Sequence, residues 1–286
     1  MFVPGDLQLI MENLGQLQTS SMSKPTNHTA PILVSRFACP LPGNTKICIS
    51  KEGDVWLGGH KSRELVKVDI KGQVLRRREI QNEPNGLSMM ECGDVIISPR
   101  SCDSRSVSRL LEDDREHHLF DTSPSYSAGV SVTIEQEILT CTVDGRVVRI
   151  NGDGTNVQQI YKGSGEWSAL HAVESTDGSI YISDPSHSAI VMSSKYGKVL
   201  STITHTTDVQ QFGRPWGMVV DKMYNILCAD FDNNCVYTTH QNEQMRELVG
   251  RSHGIQSPTW LAVDNDNNLW ITQKNGIINV VKYLAS

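Results

Sequence analysis

Short apolar triplets recur along the chain at a nearly fixed interval, and a period of this length decides the architecture before any single motif does. They are Val55-Trp56-Leu57, Val95-Ile96-Ile97, Ile138-Leu139-Thr140, Ile180-Tyr181-Ile182, Ile226-Leu227-Cys228 and Leu269-Trp270-Ile271. Their central residues, 56, 96, 139, 181, 227 and 270, are spaced by 40, 43, 42, 46 and 43 residues. Just upstream of each lies the apolar end of another short run, at Ile49, Met89, Val132, Val173, Val220 and Val263. Turn-forming residues such as Glu52-Gly53, Cys92-Gly93, Asp177-Gly178 and Asn265-Asp266-Asn267 separate the two runs, which makes each pair a hairpin.

A third run follows each triplet, for example Leu65 to Val68 and Ile277 to Val280, and a fourth follows in five copies, from Val74-Leu75 to Leu248-Val249. Four strands per copy is the content of a propeller blade. The last copy lacks its fourth strand, and the unassigned stretch 31–37 upstream of the first copy supplies one. The expectation is an all-β, six-bladed β-propeller with four-stranded antiparallel blades, its ring closed by an N-terminal strand. Residues 31–286 form the propeller, and residues 1–30 form a leader or linker with a candidate short helix from Leu7 to Leu17.

Composition narrows the function. The 286 residues carry 26 Lys+Arg against 32 Asp+Glu, a net charge of −6, whereas dedicated nucleic-acid domains are strongly basic. No apolar run is long enough to span a bilayer as a helix, so neither membrane association nor secretion is expected and the chain is assigned to the cytoplasm. The seven cysteines form no C-x2-C pair, which gives reduced structural thiols and no zinc site. Arg76-Arg77-Arg78 is expected on an outer strand facing water, Glu112 to His118 as a solvated hairpin tip, and His171 as a satisfied core histidine.

The repeat resembles the NHL family of six-bladed propellers. Pro215-Trp216-Gly217-Met218-Val219-Val220-Asp221 followed by Ile226-Leu227-Cys228-Ala229-Asp230 matches that family's pattern well. Asp177-Gly178 with Ile180 to Asp184, Pro84-Asn85-Gly86-Leu87 and Pro258-Thr259-Trp260-Leu261 support it. The Asp ending the second strand is present as Asp184 and Asp230 but replaced by Gly59, Pro99, Thr142 and Gln273 elsewhere. Among NHL proteins the chain is most similar to the C-terminal propeller of tripartite-motif proteins, without the RING and B-box modules that give ubiquitin-ligase activity.

That resemblance implies a non-catalytic module that binds a protein partner through its loop face, as the substrate-recognition part of a ubiquitin ligase or adaptor. It implies no cofactor, and a homo-oligomer only if a coiled coil precedes residue 1. In a propeller, one residue per blade enters the central channel: Thr45, Asn85, Ala128, Ala169, Trp216 and Thr259. The candidate partner-binding residues on that face are Arg63, Asn85, Arg100, Asp184, His187, Arg214, Trp216, Asp230, Phe231 and Trp260. Two alternatives stand beside the protein-binding reading. One is an RNA-binding NHL propeller in post-transcriptional regulation. The other is a metal-dependent, lactonase-like hydrolase in which Asn85, Asp184 and Asp230 supply oxygen ligands.

Overall fold

The computed structural model describes residues 30–100, 105–206, 210–240 and 245–284; the expected leader helix lies outside them. The 24 strands form six separate four-stranded antiparallel sheets. One strand, β1 (Ile32–Ala38), precedes the first blade in sequence. Blade 1 comprises β2 (Thr45–Ile49), β3 (Val55–Gly59), β4 (Glu64–Val68) and β5 (Val74–Glu79). Blade 2 comprises β6 (Pro84–Met89), β7 (Val95–Pro99), β8 (Ser106–Leu110) and β9 (Glu116–Asp121). Blade 3 comprises β10 (Ser127–Val132), β11 (Ile138–Thr142), β12 (Arg146–Ile150) and β13 (Gln158–Lys162). Blade 4 comprises β14 (His171–Glu174), β15 (Ile180–Asp184), β16 (Ala189–Ser193) and β17 (Val199–Ile203). Blade 5 comprises β18 (Pro215–Val220), β19 (Asn225–Asp230), β20 (Cys235–His240) and β21 (Arg246–Val249). Blade 6 comprises β22 (Pro258–Val263), β23 (Asn268–Gln273) and β24 (Ile277–Lys282), completed by β1 on the outside.

Every repeated triplet is a second strand, and the closing strand falls where the sequence predicts it. β1 pairs antiparallel with β24, setting Ile32 opposite Lys282 and Phe37 opposite Ile278. It also reaches blade 1, where Ser35 Oγ donates to the Ile70 carbonyl and the Phe37 ring lies against Gly72. Apolar side chains of neighbouring blades interdigitate as separate clusters around the ring, such as Val55, Leu57 and Val66 of blade 1 with Trp270, Ile278 and Val280 of blade 6. Trp56 and Trp270 are both buried, and the Trp270 indole donates to Asp264 at 2.8 Å.

The arginine run departs from expectation in one residue. Arg76 and Arg77 face solvent, but Arg78 is buried on the Trp56 ring, with its Nε donating to Asp114 of blade 2. Strand alternation puts Arg76 and Arg78 on one side of β5, where both reach Asp114 of the next blade, and Arg77 on the other, where it pairs with Glu64; of the two that meet Asp114 only Arg78 is buried.

The innermost strands begin on one face, and there the ladder skips. Asn85, Ala128, Trp216 with Gly217, and Thr259 with Trp260 stand outside the pairing register. An unpaired residue in a bulge is free to turn away from the sheet, here toward the channel mouth.

The residue after each channel-entry position lies near the start of the innermost strand. In blades 2, 3 and 5 it is glycine, and a Cβ there would collide with the next blade's backbone. From Gly86 it would meet Val130 N at 2.9 Å, from Gly129 the Leu170 carbonyl at 2.5 Å, and from Gly217 the Thr259 carbonyl at 2.6 Å. The same slot holds Lys46 in blade 1, Leu170 in blade 4 and Trp260 in blade 6.

Candidate functional site

Room left by the glycines is filled from the other blades. The Trp260 ring crosses the axis: it meets His171 of blade 4 edge-on, with centroids 4.9 Å apart, and lies against the Cα positions of Gly129 and Gly217. It is 6 % exposed, so the tryptophan expected among the partner-binding residues is a plug in the channel. His171 fastens the blades around that plug. Its Nδ1 accepts from Met218 N of blade 5 at 3.2 Å, and its Nε2 lies 3.3 Å from the Val130 carbonyl of blade 3. Those partners fix the neutral form with the proton on Nε2.

Burial lowers the His171 imidazole from its ordinary value to about 4, with the Lys46 charge adding to the effect. Between pH 4 and about 6.5 the unfolded chain therefore binds a proton that the folded chain does not. Stability rises with pH across that window and is lost as pH falls through it. Acidification from pH 7 to 4.5 is expected to remove about 2–3 kcal/mol through this residue, read from urea unfolding, and His171→Gln should flatten that slope.

Lys46, which is not among the residues singled out from the sequence, stands on the loop side of the plug, with Nζ 4.2 Å from the Trp260 ring centroid. It is 4 % exposed, and no carboxylate pairs with it among the described residues. Burial, reinforced by the Arg100 charge, brings its amine down to about 7. A nearby imidazole registers the same excess of positive charge: His60 is held below its usual value by burial first, then by Arg100, Lys46 and Lys61.

Next to this cation a cleft of about 490 Å3 opens on the loop face. Arg63, Asn82, Glu83, Asn85, Arg100, Tyr126 and Trp167 line it, bringing three of the expected residues together. Asn85 is held by a bond from its amide to the Ser127 carbonyl at 2.9 Å, which ties blade 2 to blade 3. Arg100 and Glu83 lie 3.9 Å apart, both about half exposed, so the pair leaves both groups available to a ligand. Tyr126 and Trp167 meet edge-on at 6.5 Å and form an aromatic wall. Trp167 comes from the irregular segment between β13 and β14 and takes a left-handed φ of 60°, a local geometry that strand periodicity does not signal.

The other expected residues lie over blades 4 and 5. Asp184 accepts from His187 N, the His187 ring and Ser186 Oγ; Asp230 accepts from the backbone of Gly213, Arg214 and Asn233. These two buried carboxylates brace their own loops at equivalent positions. Burial raises the Asp230 carboxyl above its usual value against those bonds. Arg214 is bidentate to Asp232 at 2.6 and 2.7 Å and stacks on Phe231, which meets Trp216 edge-on at 4.5 Å. Phe231 is itself buried and Trp216 partly so, leaving His187 and Arg214 as the more open side chains of this group.

The donor set for a channel metal does not converge. Asp184 and Asp230 are engaged by loop backbone in separate blades, Asn85 holds blade 3, and no cluster of three His, Cys, Asp or Glu suited to a metal ion occurs among the described residues. Nor is any helix among the described residues long and apolar enough to cross a membrane.

No family model matches the chain, and no curated protein matches it in sequence. Solved structures do match in fold. A streptogramin B lyase covers 91 % of this chain and 100 % of its own at 15 % identity, with a TM-score of 0.64. A virginiamycin B lyase from Staphylococcus aureus covers 88 % of this chain and 99 % of its own at 12 % identity and TM-score 0.66. A gluconolactonase from Xanthomonas campestris covers 91 % of this chain and 96 % of its own at 13 % identity and TM-score 0.70.

These likenesses establish the six-bladed ring. They also correct the expectation that the chain is not an enzyme. That expectation rested on resemblance to tripartite-motif propellers, whereas the similarity found runs to lyases and a lactonase. A ring of this kind hosts catalysis, so a purely recognition role no longer follows from the architecture.

Proposed function

We propose that the protein is a small-molecule enzyme that cleaves an ester or lactone bond in an anionic organic substrate, at the cleft between blades 1, 2 and 3. The observation that carries this reading is the cleft itself. Its volume of about 490 Å3 falls within the range of small-molecule sites, and it combines two guanidinium groups, a carboxylate and an aromatic wall. Arg63 and Arg100 receive the substrate's anionic group and stabilise negative charge developing on the carbonyl oxygen. Glu83 accepts a proton from the attacking water as the new C–O bond forms. The old acyl C–O bond breaks, and the proton passes to the leaving alkoxide. Lys46 adds positive potential beneath the cleft and, with Arg100, draws anions toward the axis. No metal takes part in this reading, because the candidate ligands are already committed to the blades.

The test is a panel of carboxylated γ- and δ-lactones with their acyclic methyl esters, followed by pH-stat titration with and without chelator. Turnover is expected to survive chelation. Arg100→Ala should weaken binding by roughly 10- to 100-fold, the worth of a hydrogen bond to a charged group. Glu83→Gln should abolish turnover while leaving affinity nearly unchanged. Affinity should fall as pH rises through about 7, where Lys46 loses its charge, and Lys46→Met should remove that dependence. If no panel member binds, or if Arg100→Ala and Glu83→Gln leave turnover intact, the reading fails and the loop face is left to a macromolecular partner.

A further inference from the structure

On the far side of Trp260 the channel opens again into a cavity of about 400 Å3 at the opposite face. Its wall is built from Ile49, Met89, Val132, Val173, Val220 and Val263, one apolar residue from the end of each innermost strand. These are the six residues that recur just upstream of each triplet in the sequence. Val173 is buried, while the other five remain partly open to the cavity. An apolar ring of this kind gains by being covered, at roughly 25 cal/mol per Å2 removed from water.

The imidazole and the two carboxylates at this end are already engaged. His171, at the closed end, has both ring nitrogens on main-chain partners. Glu174 is paired with Arg149 at 2.6 Å. Asp221 accepts from Met223 N, Asn225 N, the Asn225 amide and the Tyr283 hydroxyl. No Lys or Arg is among the residues that line the cavity, and the two carboxylates disfavour an anionic group. At the entrance, Ile134 is 64 % exposed and Tyr224 is 48 % exposed, two large side chains on the turn tips of blades 3 and 5 that also line the cavity.

We propose that this lower mouth is a second binding site, taking a small uncharged apolar molecule such as an aromatic ring or a short acyl chain. It is separate from the loop-face cleft and does not depend on the reading of that cleft.

The uncharged fluorophore N-phenyl-1-naphthylamine, titrated into the full chain, tests the site. Saturable binding at one equivalent is expected, weakened at least 5-fold by Val220→Asp. Because Val220→Asp sits in a strand and could unfold the protein, Ile134→Asp and Tyr224→Ser at the exposed turn tips are measured alongside and should weaken binding in the same direction. Arg100→Ala on the opposite face should leave binding unchanged, and a sulfonated naphthalene of similar size should bind more weakly. Absence of saturation, indifference to all three lower-mouth substitutions, or equal loss on Arg100→Ala would each overturn the proposal.

Discussion

Removing residues 32–38 is expected to abolish cooperative unfolding of the ring near its normal temperature. β1 contributes little apolar burial of its own, since Ile32, Leu33 and Val34 are all exposed. Its importance lies in what it joins. The strand satisfies the outer edge of β24, and its Ser35 and Phe37 anchor on the turn between β4 and β5 of blade 1. Without it, the outer edge of β24 is left unpaired and Phe37 is withdrawn from the Trp270 face, where the two rings meet edge-on at 6.2 Å. An unpaired edge of this kind pairs with other chains, so aggregation should accompany the loss. Calorimetry of the truncated chain, with and without a peptide spanning residues 31–39, checks the account. A melting temperature lowered by at least 10 °C and partly restored by the peptide is expected; an unchanged transition would show that the ring closes without β1.

Trp260→Ala should be the most damaging single substitution in the channel. Loss of a buried tryptophan costs about 3–5 kcal/mol when the surroundings cannot collapse into the space. Here they cannot. The positions facing the ring are Gly129 and Gly217, which have no side chains to move inward, and His171 is tied on both nitrogens. Lys46 also loses its aromatic partner, leaving a buried cation with neither ring nor carboxylate. A drop of roughly 10 °C in melting temperature follows for a chain of this size. Trp216→Ala, removing a partly exposed residue, should cost much less. A Trp260→Ala loss below about 1 kcal/mol would mean that the plug is dispensable.

The architecture was legible because a propeller repeats its burial pattern once per blade, so the sequence period and the structural period are the same quantity. The strands, their order and the closing segment all followed from where apolar runs fall. The site was legible only in part. Loop position alone placed Arg63, Asn85 and Arg100 on one face, and they do share a cleft. Glu83, Tyr126 and Trp167 were missed because period does not say how far neighbouring loops lean together, and Trp167 sits in a stretch with no regular structure. Lys46 had a usable signal. Aligning Pro84-Asn85-Gly86 with Thr45-Lys46, Ala169-Leu170 and Thr259-Trp260 shows three large residues in a slot that is glycine in the other three blades, which marks the axis as occupied. Asp184 and Asp230 carried the opposite lesson: their repetition reflects the bracing of equivalent loops, a local demand that a ligand search by residue type cannot distinguish from chelation.

A tryptophan lying across the axis also governs traffic. Each end of the channel is a cul-de-sac, so a molecule admitted at the loop face has to back out through the opening it used. For the enzyme proposed above, departure of product and arrival of the next substrate would contend for a single doorway, and crowding around Arg63, Arg100 and Trp167 would slow both together. The opposite end offers no relief route. A compound lodged there could slow the loop face only by pressing on the shared partition.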